Sequence, residues 1–515
     1  MEPITLTPPP AFGLTAQQLA WLTPYFFVLG GSCLALLLSV YEATKPSISV
    51  PATIILAFLG GIATTLPLIE QPPTLLFGGM LIADGFTAYA NILFLISAAA
   101  VTFFSRRYLL NQDLEHTEFY TLIALSALGM MIMAASTDLV MIFLGLELMS
   151  ISVYVLVGFR RNDRRSNEAG IKYYILGSAA SAVMLYGAAL FFGATGTTNV
   201  QVGAIRAIQM GMGQNALLIA GLLCILIGFL FKIASVPFHM WMPDVYEGAP
   251  APVTGFMTTG LKAAVFITLL RVFSSMVSVP ALSPQAMEAF QNVLWVSAAL
   301  TMFLGNVAAL QQTNIKRMLA YSSIAHSGYL LVGLLAGPQS HDGFSAVLFY
   351  VVIYTIMNLG AFAVVSAIAQ KGDTGLELND LSGLSAKHPG LAFLLAVFLF
   401  SMAGIPPTAG FTAKYYLFYS AIQAGQVWLV VLAVLCSAIG AYYYLRVIVQ
   451  LYMREAIAGS PLQNWKPSRA AVTTALAAVI LVLQLGIYPA PALKMLRLGP
   501  AEAPAGGAPA EAPGH

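Results

Sequence analysis

Charge is what this sequence has least of. Of its 515 residues only 9% are Asp, Glu, Lys or Arg, against a 59% hydrophobic share and a mean hydropathy of +0.82. Soluble chains typically carry about 25% charged residues, so a water-soluble globule is excluded. The net charge is +2, and no basic cluster sits on a soluble domain, so nucleic acid is not an expected partner. Cysteine is scarce too. Cys33, Cys224 and Cys436 lie far apart in apolar runs, without the spacing of a zinc or iron–sulfur site, and read as small buried residues. No GxGxxG fingerprint follows a strand, and no Walker motif occurs. The chain is therefore expected to hold no nucleotide, flavin or metal. A basic n-region is also missing, so the first helix is expected to insert uncleaved.

Long apolar runs are what the sequence has in excess. A spanning helix needs about 20 apolar residues, and about fourteen runs qualify. They lie near 19–41, 48–69, 83–105, 118–135, 138–158, 169–194, 215–238, 251–276, 286–312, 315–337, 342–370, 389–420, 425–453 and 469–490. The expected fold is an all-α integral membrane protein with about fourteen transmembrane helices. The seventh run breaks at Pro237 and the twelfth at Pro406 and Pro407. The two broken runs are an odd number of helices apart, so they cross in opposite senses, as in inverted repeats. Residues 1–117 then hold helices one to three, 118–276 a first repeat, 286–453 a second, 469–490 the last helix and 499–515 a disordered Ala/Pro/Gly tail.

Loop cations set the orientation. Lys45, Arg106, Arg107, Arg160, Arg161, Arg164, Arg165, Lys316, Arg317, Lys371, Lys387, Arg454, Lys466 and Arg469 fall on one set of alternate loops. Arg206, Arg271, Lys494 and Arg497 fall on the other. The first set is expected to be cytoplasmic, which puts both termini on the periplasmic side. The loop GFRRNDRRSNE (158–168) reads first as a topology anchor, and a lipid headgroup or a partner subunit is the other use for it.

Ionisable residues inside apolar runs are costly, on the order of 3 kcal/mol each, and mark ion or proton pathways. The stretch GFLFKIASVPFHMWMPDVYEGAPAPVTGFMTTGLKAAVFITLL (228–270) carries Lys232 before a proline-rich break and Lys262 after it. Lys414 follows the second break. Glu147 is the one acid well inside a run, and Asp138 opens that run at the interface. Burial lowers a lysine pKa and raises that of a glutamate, and an opposite charge nearby reverses both shifts. A Glu147–Lys232 pair that can separate would act as a proton switch, and a static pair would only fix packing. His326, flanked by Tyr321, Ser322, Ser323 and Ser327, and His239 near the break are possible relay members or hydrogen-bonded packing residues. Lys172 is expected to snorkel, and Asp244 and Glu247 to shape and cap the turn. The order Lys232, Lys262, His326, Lys414 suits lateral proton transfer rather than a large substrate cavity. No quinone pocket can be argued from the methionines and aromatics.

The runs FKIASVPFHMWMPDVYEGAPAPVTGFMTTGLKAA (231–264), FLGLELMSISVYVLVG (143–158), RRSNEAGIKYY (164–174), NIKRMLAYSSIAHSGY (314–329) and GIPPTAGFTAKYYLF (404–418) carry a resemblance. Over about residues 80–455 the chain resembles the antiporter-like membrane subunits of respiratory complex I. The PDVYEGAP run separates it from Mrp-type cation–proton antiporter subunits. The resemblance implies two inverted five-helix repeats and a proton relay in which Glu147, Lys232, Lys262 and Lys414 hold the family's positions. Lys414 would lead to the periplasm. It also implies a bacterial inner membrane and neighbouring complex I subunits as partners. NADH, FMN, iron–sulfur clusters and quinone would belong to those partner subunits. A stand-alone or Mrp-like antiporter and a non-pumping scaffold subunit are the rival readings.

Overall fold

The computed structural model describes residues 15–41, 48–278, 282–337, 340, 343–456, 462, 465 and 467–496. The tail at 499–515 and the loop cations Lys45, Lys466 and Arg497 lie outside the described residues.

Backbone polar groups in hydrocarbon must be satisfied within the segment itself, which selects helices for apolar runs of this length. In chain order these are α1 (Ala16–Tyr41), α2 (Ser49–Thr65), α3 (Gly85–Asn111), α4 (Thr117–Ala135), α5 (Leu139–Val157), α6 (Arg164–Thr195), α7 (Val200–Gln209), α8 (Ala216–Lys232), α9 (Met242–Gly248) and α10 (Ala251–Phe256). There follow α11 (Lys262–Ser278), α12 (Pro284–Ala309), α13 (Ile315–Ala336), α14 (Gly343–Ile368), α15 (Leu384–Lys387), α16 (Pro389–Ala403), α17 (Ala409–Gln423), α18 (Val427–Met453), α19 (Arg469–Ile487) and α20 (Ala490–Leu496). Among the described residues twelve helices are long and apolar enough to cross a membrane, α10 and α11 counting as one through the π-turn Met257–Leu261. The shorter apolar helices α8 and α16 each run into a break. The expectation of about fourteen runs thus meets twelve continuous helices and two interrupted ones.

Burial sorts the helices into centre and rim. The apolar window of α10–α11 is 100% buried and that of α13 is 94% buried, against 22% for α1 and 28% for α19. Lys262 and His326 therefore lie on the two most enclosed helices. Close approach of α4 and α5 depends on glycine. A Cβ on Gly145 would come 2.8 Å from the Met133 nitrogen, and one on Gly129 would come 2.5 Å from the Met149 nitrogen. Small residues that let backbones touch are the usual means of joining membrane helices, and this contact seats the helix that carries Glu147.

One end of the bundle gathers the loops with Arg160, Lys316 and Lys371. The other carries a hairpin that the apolar pattern does not announce, β1 (Thr74–Leu76) antiparallel to β2 (Leu81–Ala83). Gly78 and Gly79 turn it with φ of 67° and 88°. The Gln18 side chain donates to the Leu75 carbonyl, so the start of α1 lies at the hairpin end. Arg271, which the loop count assigns to this side, is not a loop charge. It lies within α11, 2% exposed, and makes a forked pair with Asp84 at 2.9 and 3.1 Å. A guanidinium matches a carboxylate with two parallel bonds, and that pairing is what admits this arginine to the interior. Against the opposing effect of burial, the Arg271 charge and the bonds from Arg271 and Thr87 hold the Asp84 carboxyl below its ordinary range.

Candidate functional site

Helix α8 ends at Lys232, five positions ahead of Pro237, so the break opens earlier than the proline alone indicates. Ala234 takes a left-handed conformation (φ 55°), and the Val236–Pro237 bond is cis. Polar backbone at membrane depth needs partners from neighbouring helices, and α12 supplies them. The Thr301 hydroxyl accepts from the Val236 amide at 2.9 Å, Ser297 donates to the Val236 carbonyl at 3.0 Å, and both hydroxyls meet Ser235 Oγ at 2.7 Å.

Lys232 is 6% exposed. Its Nζ donates to Ser150 Oγ at 2.9 Å and to the Tyr154 hydroxyl at 3.1 Å. These two residues follow Glu147 on α5 at the third and seventh positions, so all three share one helix face. The direct Glu147–Lys232 pair is not formed. Glu147 is half-buried, and its Oε1 has no hydrogen-bond partner. The hydroxyls occupy the ammonium instead.

Lys262, 3% exposed, donates to the Ser323 carbonyl at 2.6 Å and to Ser327 Oγ at 2.8 Å. Ser327 in turn donates to the Ile233 carbonyl at 2.8 Å, the residue after Lys232. One serine therefore ties the second lysine to the first break. His326, one position before Ser327 on α13, meets the Tyr350 hydroxyl at 2.7 Å through Nδ1 and the Tyr444 hydroxyl at 3.3 Å through Nε2. Tyr444 also bonds Ser322, and Tyr354 donates to Ser323 Oγ at 2.7 Å. Hydroxyls both donate and accept, so this cluster can orient a proton in either direction.

At the second break Gly404 (φ 86°) ends α16, and the Pro406–Pro407 bond is cis. A Cβ on Gly410 would stand 1.8 Å from the Ser401 carbonyl oxygen, so only glycine lets α17 restart there. Lys414 reaches back to donate to the Met402 and Ala403 carbonyls at 3.0 and 3.2 Å, and to Ser437 Oγ at 2.8 Å. The last carbonyls of a helix lack intrahelical partners and form the negative end of its dipole, and Lys414 satisfies both needs for α16. Its ammonium lies 5.2 Å from the centre of the Tyr329 ring, which packs edge-on against His326 at 5.6 Å.

His239 stands apart. It is half-buried beside exposed Pro237 and Met240, and its Nδ1 has no partner. Asp244 and Glu247 do shape the turn, but through ions rather than caps. Arg317 bonds Asp244 at 2.7 Å and Glu247 at 2.9 Å, while Lys172 joins Glu168 at 2.6 Å and Asp244 at 2.9 Å. Burial pushes the Asp244 carboxyl up, and the Lys172 and Arg317 bonds outweigh it and hold the group below its ordinary value. Beneath lies a buried knot. Lys316, 1% exposed and so not the loop charge expected, donates to Asp373 and to the Ala249 carbonyl, both at 2.6 Å. Arg160 joins Asp373 at 3.3 Å and the Gly248 carbonyl at 2.9 Å, and Tyr108 donates to Asp373 at 2.6 Å. The segment between the first break and Lys262 is thus pinned from α3, the α5–α6 loop and α13.

Sequence reasoning named the lysines and missed most of their holders. Ser150 and Tyr154 were findable from their spacing to Glu147. Ser437, Tyr350, Tyr444 and Asp373 had no local signal, since each lies far along the chain from the group it touches.

A helical membrane bundle with two broken helices and buried ionisable side chains beside the breaks has the architecture of transporter-type membrane proteins. Residues 136–440 match the family of NADH:quinone oxidoreductase and Mrp antiporter transmembrane subunits, and the chain belongs to that family. NADH-quinone oxidoreductase subunit N of Trichlorobacter lovleyi is 50% identical over 378 residues, 73% of this chain and 76% of the relative. Subunit N 1 of Chloroherpeton thalassium is 43% identical over 454 residues, 88% of this chain and 93% of the relative. Among solved structures, a chain of respiratory complex I from Thermus thermophilus with bound aureothin matches with TM-score 0.77 at 34% identity, covering 92% of this chain and 99% of that one. A chain of the Mrp complex from Dietzia sp. DQ12-45-1b matches with TM-score 0.79 at 20% identity, over 93% and 96%. That last likeness is one of fold alone.

Proposed function

We propose that this chain is a proton-translocating membrane subunit of a NADH-quinone oxidoreductase, of the subunit N type, and that Lys232, Lys262, His326 and Lys414 carry the proton. One observation carries the relay. Lys232, Lys262 and Lys414 are all buried, and none has a carboxylate within 4.0 Å among the described residues. A structural lysine in such a place is normally paired. These three rest on hydroxyls and carbonyls, which can pass a proton on. The proton enters toward Lys232, moves to Lys262, crosses the His326 hydroxyl cluster and leaves from Lys414. Glu147 tunes Lys232 from one turn away without binding it, and His239 is at most a member of the entry route.

Redox chemistry lies in partner subunits, which hold NADH, FMN, iron–sulfur clusters and quinone. The chain sits in a bacterial inner membrane beside other antiporter-like subunits, with both termini periplasmic. Residues 118–276 and 286–453 form two inverted repeats. Mirrored backbone bridges support the repeat. Leu139 donates to Thr198 and Val200 to Thr137 in the first half, and Ile315 donates to Leu376 and Leu378 to Thr313 in the second. The first bridge lies at the start of α5, the end away from Arg160, and the second lies at the Lys316 end.

The test is Lys232→Ala in membranes carrying the whole complex, with quinone reduction and proton pumping measured beside assembly on native gels. Assembled complex with both activities lowered is the expected result. Wild-type turnover and pumping would overturn the relay. Loss of assembly in Lys232→Ala and Lys232→Met alike would favour the scaffold reading.

A further inference from the structure

The two hydroxyls on Lys232 are placed by different means. Ser150 is short, so the backbone of α5 sets where its oxygen lies. The Tyr154 hydroxyl stands at the far end of a ring, so its place depends on what packs against that ring. The ring is buried and meets two others edge-on, Tyr173 at 4.8 Å and 88° and Tyr174 at 5.8 Å and 76°. Such contacts have a preferred geometry and hold a ring in one orientation. Gly177 lies one turn beyond Tyr173 on the same face of α6. A Cβ on Gly177 would come 2.2 Å from the Tyr154 hydroxyl oxygen, so glycine keeps open the space that this oxygen fills. A phenylalanine at 154 would pack as well without that gap. The hydroxyl is explained by the ammonium it meets.

The packing continues past Tyr173. Its ring stacks on Trp241 at 4.6 Å and 16°, and Trp241 stacks on Phe231 at 5.5 Å and 24°. The Trp241 indole N–H donates to the Phe231 carbonyl at 3.1 Å. All three rings are buried, and Phe231 is the residue before Lys232. The contacts therefore close on themselves, from Lys232 through Tyr154, Tyr173 and Trp241 to Phe231. Trp241 lies beyond the first break, directly ahead of α9. We infer that Tyr173 and Trp241 are positioning residues for proton transfer at Lys232. Through the Tyr154 ring they hold its hydroxyl on the ammonium, and they tie the first lysine to the segment across the break.

The inference rests on the reading that Lys232 carries the proton. It is tested by double-mutant cycles, read as proton pumping per assembled complex in membranes carrying the whole complex. Tyr154→Phe should lower pumping about tenfold, equivalent to about 1.4 kcal/mol, close to one hydrogen bond to a charged group. Tyr173→Leu and Trp241→Leu should each cost a similar factor, and Tyr173→Phe, which keeps the ring, should pump like the wild type. In the Tyr154→Phe background neither Leu change should lower pumping further. Multiplied losses, about a hundredfold in the double variants, would show that the two residues act elsewhere and would overturn the inference. Wild-type pumping in Tyr154→Phe or in either Leu variant would also overturn it. If the Leu variants do not assemble, Gly177→Ala decides, since it removes no contact and displaces the hydroxyl. It should cost about tenfold alone and nothing beside Tyr154→Phe, and equal losses in both backgrounds would overturn the inference. Wild-type pumping in Lys232→Ala would overturn the relay itself. Lowered pumping there beside wild-type pumping in Tyr154→Phe would overturn this inference alone.

Discussion

The two breaks solve one problem in different ways. At the first, α8 ends on Lys232, and the backbone groups freed at Ile233 and Val236 are satisfied by Ser297 and Thr301 of α12 and Ser327 of α13. The lysine is then left to Ser150 and Tyr154. At the second, the lysine itself does the capping, with Lys414 bonded to the last carbonyls of α16. The first lysine is released from structural duty by its neighbours, and the second is not. The segment beyond the first break is also pinned by the Arg160–Asp373–Lys316 knot. The two sites therefore differ in how much of the fold depends on the ammonium.

Removing the lysines should separate the two sites most sharply. Lys232→Ala and Lys414→Ala are both expected to abolish most proton pumping. Only Lys414→Ala should also deplete assembled complex on native gels, because it leaves two buried carbonyls without a donor, at about 1–3 kcal/mol each. Lys414→Arg should restore assembly but not pumping, since a guanidinium caps carbonyls and does not release its proton. Equal assembly in Lys232→Ala and Lys414→Ala would erase the distinction.

Next in size is the knot beyond the first break. Asp373→Asn leaves Arg160 and Lys316 buried around one lost charge, at a cost of roughly 3–5 kcal/mol. The expected readout is a lower unfolding temperature of the purified complex. An unchanged melting curve would mean that the 248–249 carbonyls alone hold the two cations.

A smaller loss, about 2–4 kcal/mol from two buried hydroxyls, is expected for Ser297→Ala/Thr301→Val. Ser401→Ala, which removes one hydroxyl donating to Met357 Sδ and accepting from the Gly410 amide, should cost about half as much. Thermal unfolding of the two variants gives the comparison directly, and the opposite order would show that the first break does not rely on α12.

The smallest effect belongs to Glu147→Gln. Its carboxylate binds neither lysine, so assembly should be unchanged. Removing a charge near Lys232 is worth about 1 kcal/mol or more, so turnover should fall roughly fivefold. Assembly loss would reveal a packing role, and wild-type turnover would show that Glu147 does not reach the first lysine electrostatically.

Much of the candidate site was legible because its parts are local anomalies. Lysines in apolar runs, prolines inside helices and a glutamate in FLGLELMS are visible without knowing a single contact. Their partners were less legible in proportion to distance along the chain. Ser150 is read from Glu147 by helix periodicity, whereas Ser437 meets Lys414 and Tyr444 meets His326 only because α17, α18 and α13 pack together. Arg271 and Lys316 show the failure from the other side. Both looked like loop charges at helix ends, and both are buried because Asp84 and Asp373 meet them from distant segments.

Composition and proline placement were enough to make this chain a many-helix membrane protein, to locate its two breaks and to name the residues that had no business in hydrocarbon. These features are properties of the segment, since an apolar helix must satisfy its own backbone wherever it lies. Which hydroxyls hold each lysine, and which lysine caps a helix, was decided only when the helices packed. Hydrogen bonds and ion pairs act over about 3–4 Å, and no pattern along the chain encodes which side chains are brought that close.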